Sequence, residues 1–126
     1  MTIIGIGIDI VEIIRIKKIV KKSGNTLAIK ILNKNEFQQY LKNKKPIHFL
    51  AKRFAAKEAI VKSFGIGMRC GLSFNQLEIY NNNLGKPKIF LSKKIKKITK
   101  NIGIKTFHLT ISDEKKYACA VAIAEN

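Results

Sequence analysis

The chain has 126 residues, 46% of them hydrophobic and 26% charged, with 25 basic against 8 acidic side chains for a net charge of +17. That composition fits one folded domain, 1–126, and excludes a disordered chain; the longest apolar runs, IIGIGI (3–8) and ACAVAIA (118–124), are far too short for a membrane-spanning helix. Of the 25 basic residues, 22 are lysine and only Arg15, Arg53 and Arg69 are arginine, in a chain also rich in isoleucine and asparagine. This joint excess reads as drift toward A/T-rich codons, so the position of each charge carries more weight than the total.

The N-terminal stretch MTIIGIGIDI lacks the basic region and small-residue cleavage site of a signal peptide. Residues 3–9 alternate Ile with small residues and predict a strand ending on Asp9. EIIRIKKIVKK (12–22) predicts a helix with Ile13, Ile14, Ile16, Ile19 and Val20 inward and Arg15, Lys18 and Lys22 outward. Asn33 with Glu36 forms the pattern of a capping box opening a short helix through Leu41. Pro46 suits the first turn of the next helix, which runs to Phe64 and stops at Gly65. Strands are expected at 74–81 and 86–92 around the turn NNNLG, then an amphipathic helix over 92–101 with Ile95 and Ile98 inward. KTFHLTIS and YACAVAIAE flank DEKK (113–116), a hairpin signal. The order implies an α+β fold, a mostly antiparallel sheet packed against one long central helix. Cys70 and Cys119 match no metal spacing and are expected as reduced thiols of a cytoplasmic protein.

GIGID (5–9) brushes against the dinucleotide fingerprint GxGxxG and fails it, because the third glycine would fall at Ile10. What remains is Asp9 in apolar surroundings, where an unpaired charge is costly; a helix N-cap or a bound cation would each satisfy it. In FAAKEAIVKSFGIG (54–67), Glu58 and Lys62 are one turn apart. They are either a surface ion pair or a metal-ligating carboxylate beside a phosphate-binding ammonium. Arg53 and Lys57 fall on or near the same helical face and could neutralise a phosphate, whereas the paired glycines Gly65 and Gly67 follow a helix C-terminus, the wrong end of the dipole for an anion. His48 reads as a solvated helix residue and His108 as a satisfied structural histidine.

Four blocks in order, GIGIDIVEIIRI, FLAKRFAAKEAIVKSFGIG, FNQLEIYNNNLGKPKI and the C-terminal strand hairpin, together resemble bacterial holo-[acyl-carrier-protein] synthases, in the 4'-phosphopantetheinyl transferase family. The resemblance covers the whole chain. It implies a transferase fold and transfer of phosphopantetheine from coenzyme A (CoA) to a serine of apo acyl carrier protein, with release of adenosine 3',5'-bisphosphate. It also implies Mg²⁺ as cofactor, held by Asp9 and Glu58, with Lys62 near the pyrophosphate. Arg53, Gly65 and Gly67 match positions that contact CoA, Pro87 lies near the adenine side, and Arg15 corresponds to a basic position meeting the acidic carrier protein, a role that Lys18 and Lys22 share on the same stripe. Cytoplasmic homotrimers with CoA bound between subunits are implied as well, with no nucleic-acid or membrane partner. One departure stands out: many members carry Ser-His-Thr in the last hairpin, where this chain has Ser112-Asp113-Glu114, an acidic pair that would repel a phosphate.

On this reading Lys62 stabilises the leaving group, and the serine proton passes to Glu36 or to a metal-bound water. Two rivals differ in class. A basic nucleic-acid-binding module without catalysis would leave Asp9 and Glu58 unexplained, and the 8% aromatic content shows no interleaving with basic residues. A metal-dependent nuclease would cleave phosphodiesters and have no use for CoA.

Overall fold

The computed structural model describes residues 1–68 and 71–126; Arg69 and Cys70, including the reduced thiol expected at Cys70, lie outside the described residues. The elements run β1 (Ile3–Glu12), α1 (Ile13–Ser23), α2 (Thr26–Ile31), α3 (Lys34–Lys42), α4 (Pro46–Phe64), a 3₁₀ turn (Phe74–Gln76), β2 (Leu77–Asn81), β3 (Pro87–Leu91), α5 (Lys93–Ile102), β4 (Thr106–Asp113) and β5 (Tyr117–Glu125). Every strand pairing is antiparallel. Three strands form one sheet in the order β1-β5-β4, and β2 and β3 form a separate hairpin. The expected α+β architecture around a long central helix is the one found.

Helix α4 is that centre. Pro46 opens it, where its missing N–H costs nothing, and Gly65 closes it in the left-handed conformation at φ 76°. Leu50, Ala51, Ala55, Ala56, Ala59 and Ile60 are fully buried along it, against β1 and β5 on one side and α1 and α3 elsewhere. The sheet meets the helix with small residues. Ala118, Ala120, Ala122 and Ala124 alternate on the inner face of β5 and are almost entirely buried. At α3 the expected capping box is complete: Asn33 accepts from the Glu36 N–H while the Glu36 carboxylate accepts from the Asn33 N–H.

Several sequence expectations need correction. The first strand continues three residues beyond Asp9, because β5 is long enough to pair with it as far as Glu12 opposite Tyr117. Asp9 therefore caps no helix; Glu12 holds that place and makes no side-chain cap bond. On α1 only Ile13 and Ile16 are buried, and Ile14 and Ile19 are 46% and 40% exposed, because the helix rests on α4 along a narrow edge. Residues 74–76 form a 3₁₀ turn before β2, closed by a capping box between Ser73 and Gln76. The six-residue α2 is too short to show a period in sequence. His108 stands exposed on the outer face of β4 and pairs with the Glu125 carboxylate.

Candidate active site

Strand β1 alternates Gly5, Gly7, Asp9 and Val11 toward α4 with Ile6, Ile8 and Ile10 outward, a parity visible in the burial along the strand. The glycines allow the helix backbone to descend onto the strand. A Cβ built on Gly7 would sit 1.8 Å from the Ala59 carbonyl oxygen, and one on Gly5 would sit 2.0 Å from that of Ser63. Asp9 is next in the inward row, so the same close approach delivers its carboxylate to the helix one turn further on.

There it meets Lys62 and Glu58. The Lys62 ammonium donates to the Asp9 carboxylate at 3.2 Å and to the Ile8 carbonyl at 3.0 Å. Lys62 thus bridges helix to strand, and of the two readings of Glu58 and Lys62 the plain i,i+4 surface pair is not the one it forms. Asp9 and Glu58 line one pocket of about 240 Å³ together with Arg15, Ile19 and Phe54. Partial burial raises the Glu58 carboxyl above its ordinary range, the nearby Asp9 charge adds to this, and Lys62 opposes it. Two carboxylates that repel each other across a pocket are a donor set for a hard cation. Among the described residues no group of three or more His, Cys, Asp or Glu could hold a metal, so an ion here would take two protein oxygens and complete its shell from water and ligand.

Arg53 and Lys57, expected on the phosphate-binding face, lie elsewhere. Lys57 has no solvent exposure and its ammonium donates to the carbonyls of Ile31 (2.8 Å), Phe74 (3.0 Å) and Leu77 (2.6 Å) and to Glu36 Oε1 (2.5 Å). Its donors are all used inside the core, which rules it out as a phosphate contact. Desolvation lowers the Lys57 pKa and Glu36 works against that shift. Arg53 is 6% exposed and stacked over Phe49 at 4.7 Å; its Nε is 3.8 Å from Glu36 and has no hydrogen-bond acceptor among the described residues. Both therefore belong to a buried ionic cluster on the side of α4 that faces α3. Its anion, Glu36, is fully buried and accepts from Asn33 N, Lys57 and Ile79 N, so it is no acceptor for a substrate proton. Sequence reasoning saw the capping box and missed the cluster; the available signal was a lysine at 57 directly after two alanines on an apolar helix.

Gly65 and Gly67, both with left-handed φ (76° and 66°), follow the C-terminus of α4 and border open space. Pro87 begins β3 and lines a different pocket of about 450 Å³ with Tyr80, Lys86 and Lys88. Arg15, Lys18 and Lys22 are exposed on α1, and Arg15 reaches the rim of the carboxylate pocket. In the last hairpin Glu114 turns back to accept from the Lys116 and Tyr117 N–H groups, so it shapes the turn, while Asp113 borders a pocket with Lys44, Lys45 and Lys52.

The family profile described as the 4'-phosphopantetheinyl transferase superfamily matches residues 5–122. A protein named holo-[acyl-carrier-protein] synthase from Yersinia enterocolitica is 50% identical over the full length of both chains. The crystal structure of the synthase from Neisseria meningitidis superposes with a TM-score of 0.94 at 40% identity, covering 99% of this chain and 100% of that one. A Bacillus anthracis synthase, solved in complex with CoA (3',5'-ADP), matches at a TM-score of 0.81 and 35% identity over 98% and 97% of the two chains. With Asp9, Glu58 and Lys62 gathered at one strand–helix contact and this similarity running end to end, the chain belongs to the holo-[acyl-carrier-protein] synthases of the 4'-phosphopantetheinyl transferase superfamily.

Proposed function

We propose that this protein transfers 4'-phosphopantetheine from CoA to a serine hydroxyl of apo acyl carrier protein, giving the holo carrier and adenosine 3',5'-bisphosphate. The observation that carries the reading is the convergence of Asp9 and Glu58 on one pocket, with the Lys62 ammonium already against Asp9. The serine oxygen attacks the phosphorus bearing the pantetheine, and the bond to the bisphosphate breaks; such a transfer needs charge neutralised and groups held in line.

Asp9 and Glu58 would hold Mg²⁺, and their oxygen-only donor set fits it. When bound, the ion supplies neutralisation of the diphosphate and a template for its orientation. Lys62 is half exposed and, among the described residues, tethered only to Asp9 and the Ile8 carbonyl, so its long side chain is free to turn to the leaving phosphate. Phe54 and Ile19 wall the pocket and exclude water from one side. Gly65 and Gly67, open to solvent, leave backbone accessible to the donor, and Pro87 offers an apolar surface for its adenine end.

Arg15 at the pocket rim, with Lys18 and Lys22 exposed on the same helix, suits an acidic carrier protein; attraction of this kind raises the association rate and weakens with salt. A homotrimer in the cytoplasm completes the reading. Self-association is supported by the outer face of β1, where Ile6, Ile8 and Ile10 are 62%, 63% and 65% exposed beside Val121 and Ile123, an apolar patch of the sort that subunits cover. The test is mass spectrometry of apo carrier protein incubated with CoA, Mg²⁺ and this protein. Gain of one phosphopantetheine group is the expected result, and a carrier of unchanged mass would refute the reading.

A further inference from the structure

The two sheets of this fold share no ladder of hydrogen bonds among the described residues: β2 and β3 pair only with each other. Something else must fix that hairpin relative to α4, and a buried ion pair does so. Glu36 Oε2 accepts from the Ile79 N–H of β2 at 2.9 Å, and Oε1 accepts from Lys57 on α4 at 2.5 Å. Lys57 in turn donates to Leu77 at the start of β2 and to Phe74 in the preceding turn. A second strut lies nearer the surface, where Glu78 accepts from the side-chain amides of Asn33 and Asn35. Stability is a poor explanation for such a cluster, since a buried ion pair is often matched or exceeded by apolar side chains of similar volume. Direction is what it adds: hydrogen bonds from one ammonium to three carbonyls and a carboxylate specify where β2 sits, and apolar contact alone does not.

The residue after Lys57 is Glu58, at the carboxylate pocket, and the strand paired with β2 begins at Pro87. The cluster therefore joins the helix that carries Glu58 to the hairpin that carries Pro87, which on the proposed function are the diphosphate end and the adenine end of the site. We propose that Glu36, acting through Lys57, is a positioning residue that sets the span between these two ends and so the fit of the whole CoA molecule, an inference that rests on CoA being the donor. Neither Glu36 nor Lys57 touches the substrate. A donor gripped at both ends needs that span preset, and slack in the joint weakens the two-ended ligand while leaving each end able to bind its own fragment.

The experiment measures binding of CoA and of inorganic pyrophosphate, each with Mg²⁺, by calorimetry on the intact protein, for wild type, Glu36→Gln and Glu78→Ala. Glu36→Gln should raise the Kd for CoA about tenfold, equivalent to about 1.4 kcal/mol, with pyrophosphate binding unchanged. Glu78→Ala, at a half-buried position that a folded chain tolerates, should shift CoA binding in the same direction by less. Equal weakening of both ligands, or unchanged CoA binding in Glu36→Gln, overturns the proposal; should Glu36→Gln not fold, unchanged CoA binding in Glu78→Ala does the same. A wild-type protein that binds pyrophosphate but not CoA would instead overturn the donor assignment.

Discussion

Gly7 lies so close under Ala59 that a single added methyl would come to 1.8 Å from the Ala59 carbonyl oxygen. The contact is backbone to backbone, and no rotamer change can relieve it. Gly7→Ala must push β1 and α4 apart or distort one of them, at a cost of about 1–3 kcal/mol or more. Asp9 should move with the strand. Melting temperature should drop, and Mn²⁺ binding followed by electron paramagnetic resonance should weaken in the fraction that still folds; a variant with native metal affinity would show that the glycine does not set the carboxylate spacing.

Asp9→Ala and Glu58→Ala each remove one of the two oxygens' worth of ligation at the pocket. Turnover should fall by about a hundredfold or more in each, with circular dichroism unchanged because neither side chain supports the core. Wild-type turnover in either variant would remove that residue from the site.

Lys62→Ala separates binding from chemistry. Its ammonium is placed to meet charge that builds on the leaving phosphate, so kcat should fall by about a hundredfold while CoA affinity changes far less. A loss confined to CoA affinity would reduce Lys62 to a tether.

Glu58→Gln has an opposite effect on the metal-free protein. Burial first and the Asp9 charge second raise the folded-state pKa of Glu58. A carboxyl whose folded pKa is raised gives stability at acid pH that disappears as pH climbs through that value, so at neutral pH the ionised Glu58 is a net burden. Glu58→Gln should therefore melt higher than wild type in EDTA at pH 7, by less than about 1 kcal/mol because solvent screens the site. The difference should vanish at pH 4. A lower melting temperature at pH 7 would show that Lys62 outweighs both destabilising influences.

Arg15→Glu tests the docking face. The Michaelis constant for carrier protein should rise several-fold, most strongly at low salt, with that for CoA unchanged. Because Arg15 also reaches the carboxylate pocket, a rise in the CoA constant alone would assign it to the donor.

The long helix, its proline start and glycine stop, the last hairpin and the capping box at Asn33 were all legible, because each rests on local chemistry that a short window contains. The pairing of Asp9 with Lys62 was not, since which partner a surface lysine chooses depends on how closely strand and helix approach. The same holds for Glu36. Its capping role is local, but its pairing with Lys57 across 21 positions and with Ile79 across 43 is set by packing. Arg53 and Lys57 were misplaced for a related reason. Helical spacing gives a face, and on a helix buried nearly all round, a face does not imply water.

Strand β1 uses both of its sides. Toward α4 it needs two residues without side chains and then an acid; away from α4 it presents Ile6, Ile8 and Ile10. A shift by one residue would exchange the two sets, sending isoleucines against the helix and the acid outward. From position 5 to position 11 there is thus no neutral place for a substitution, and deep mutational scanning should find this short segment less tolerant than the far more buried middle of β5.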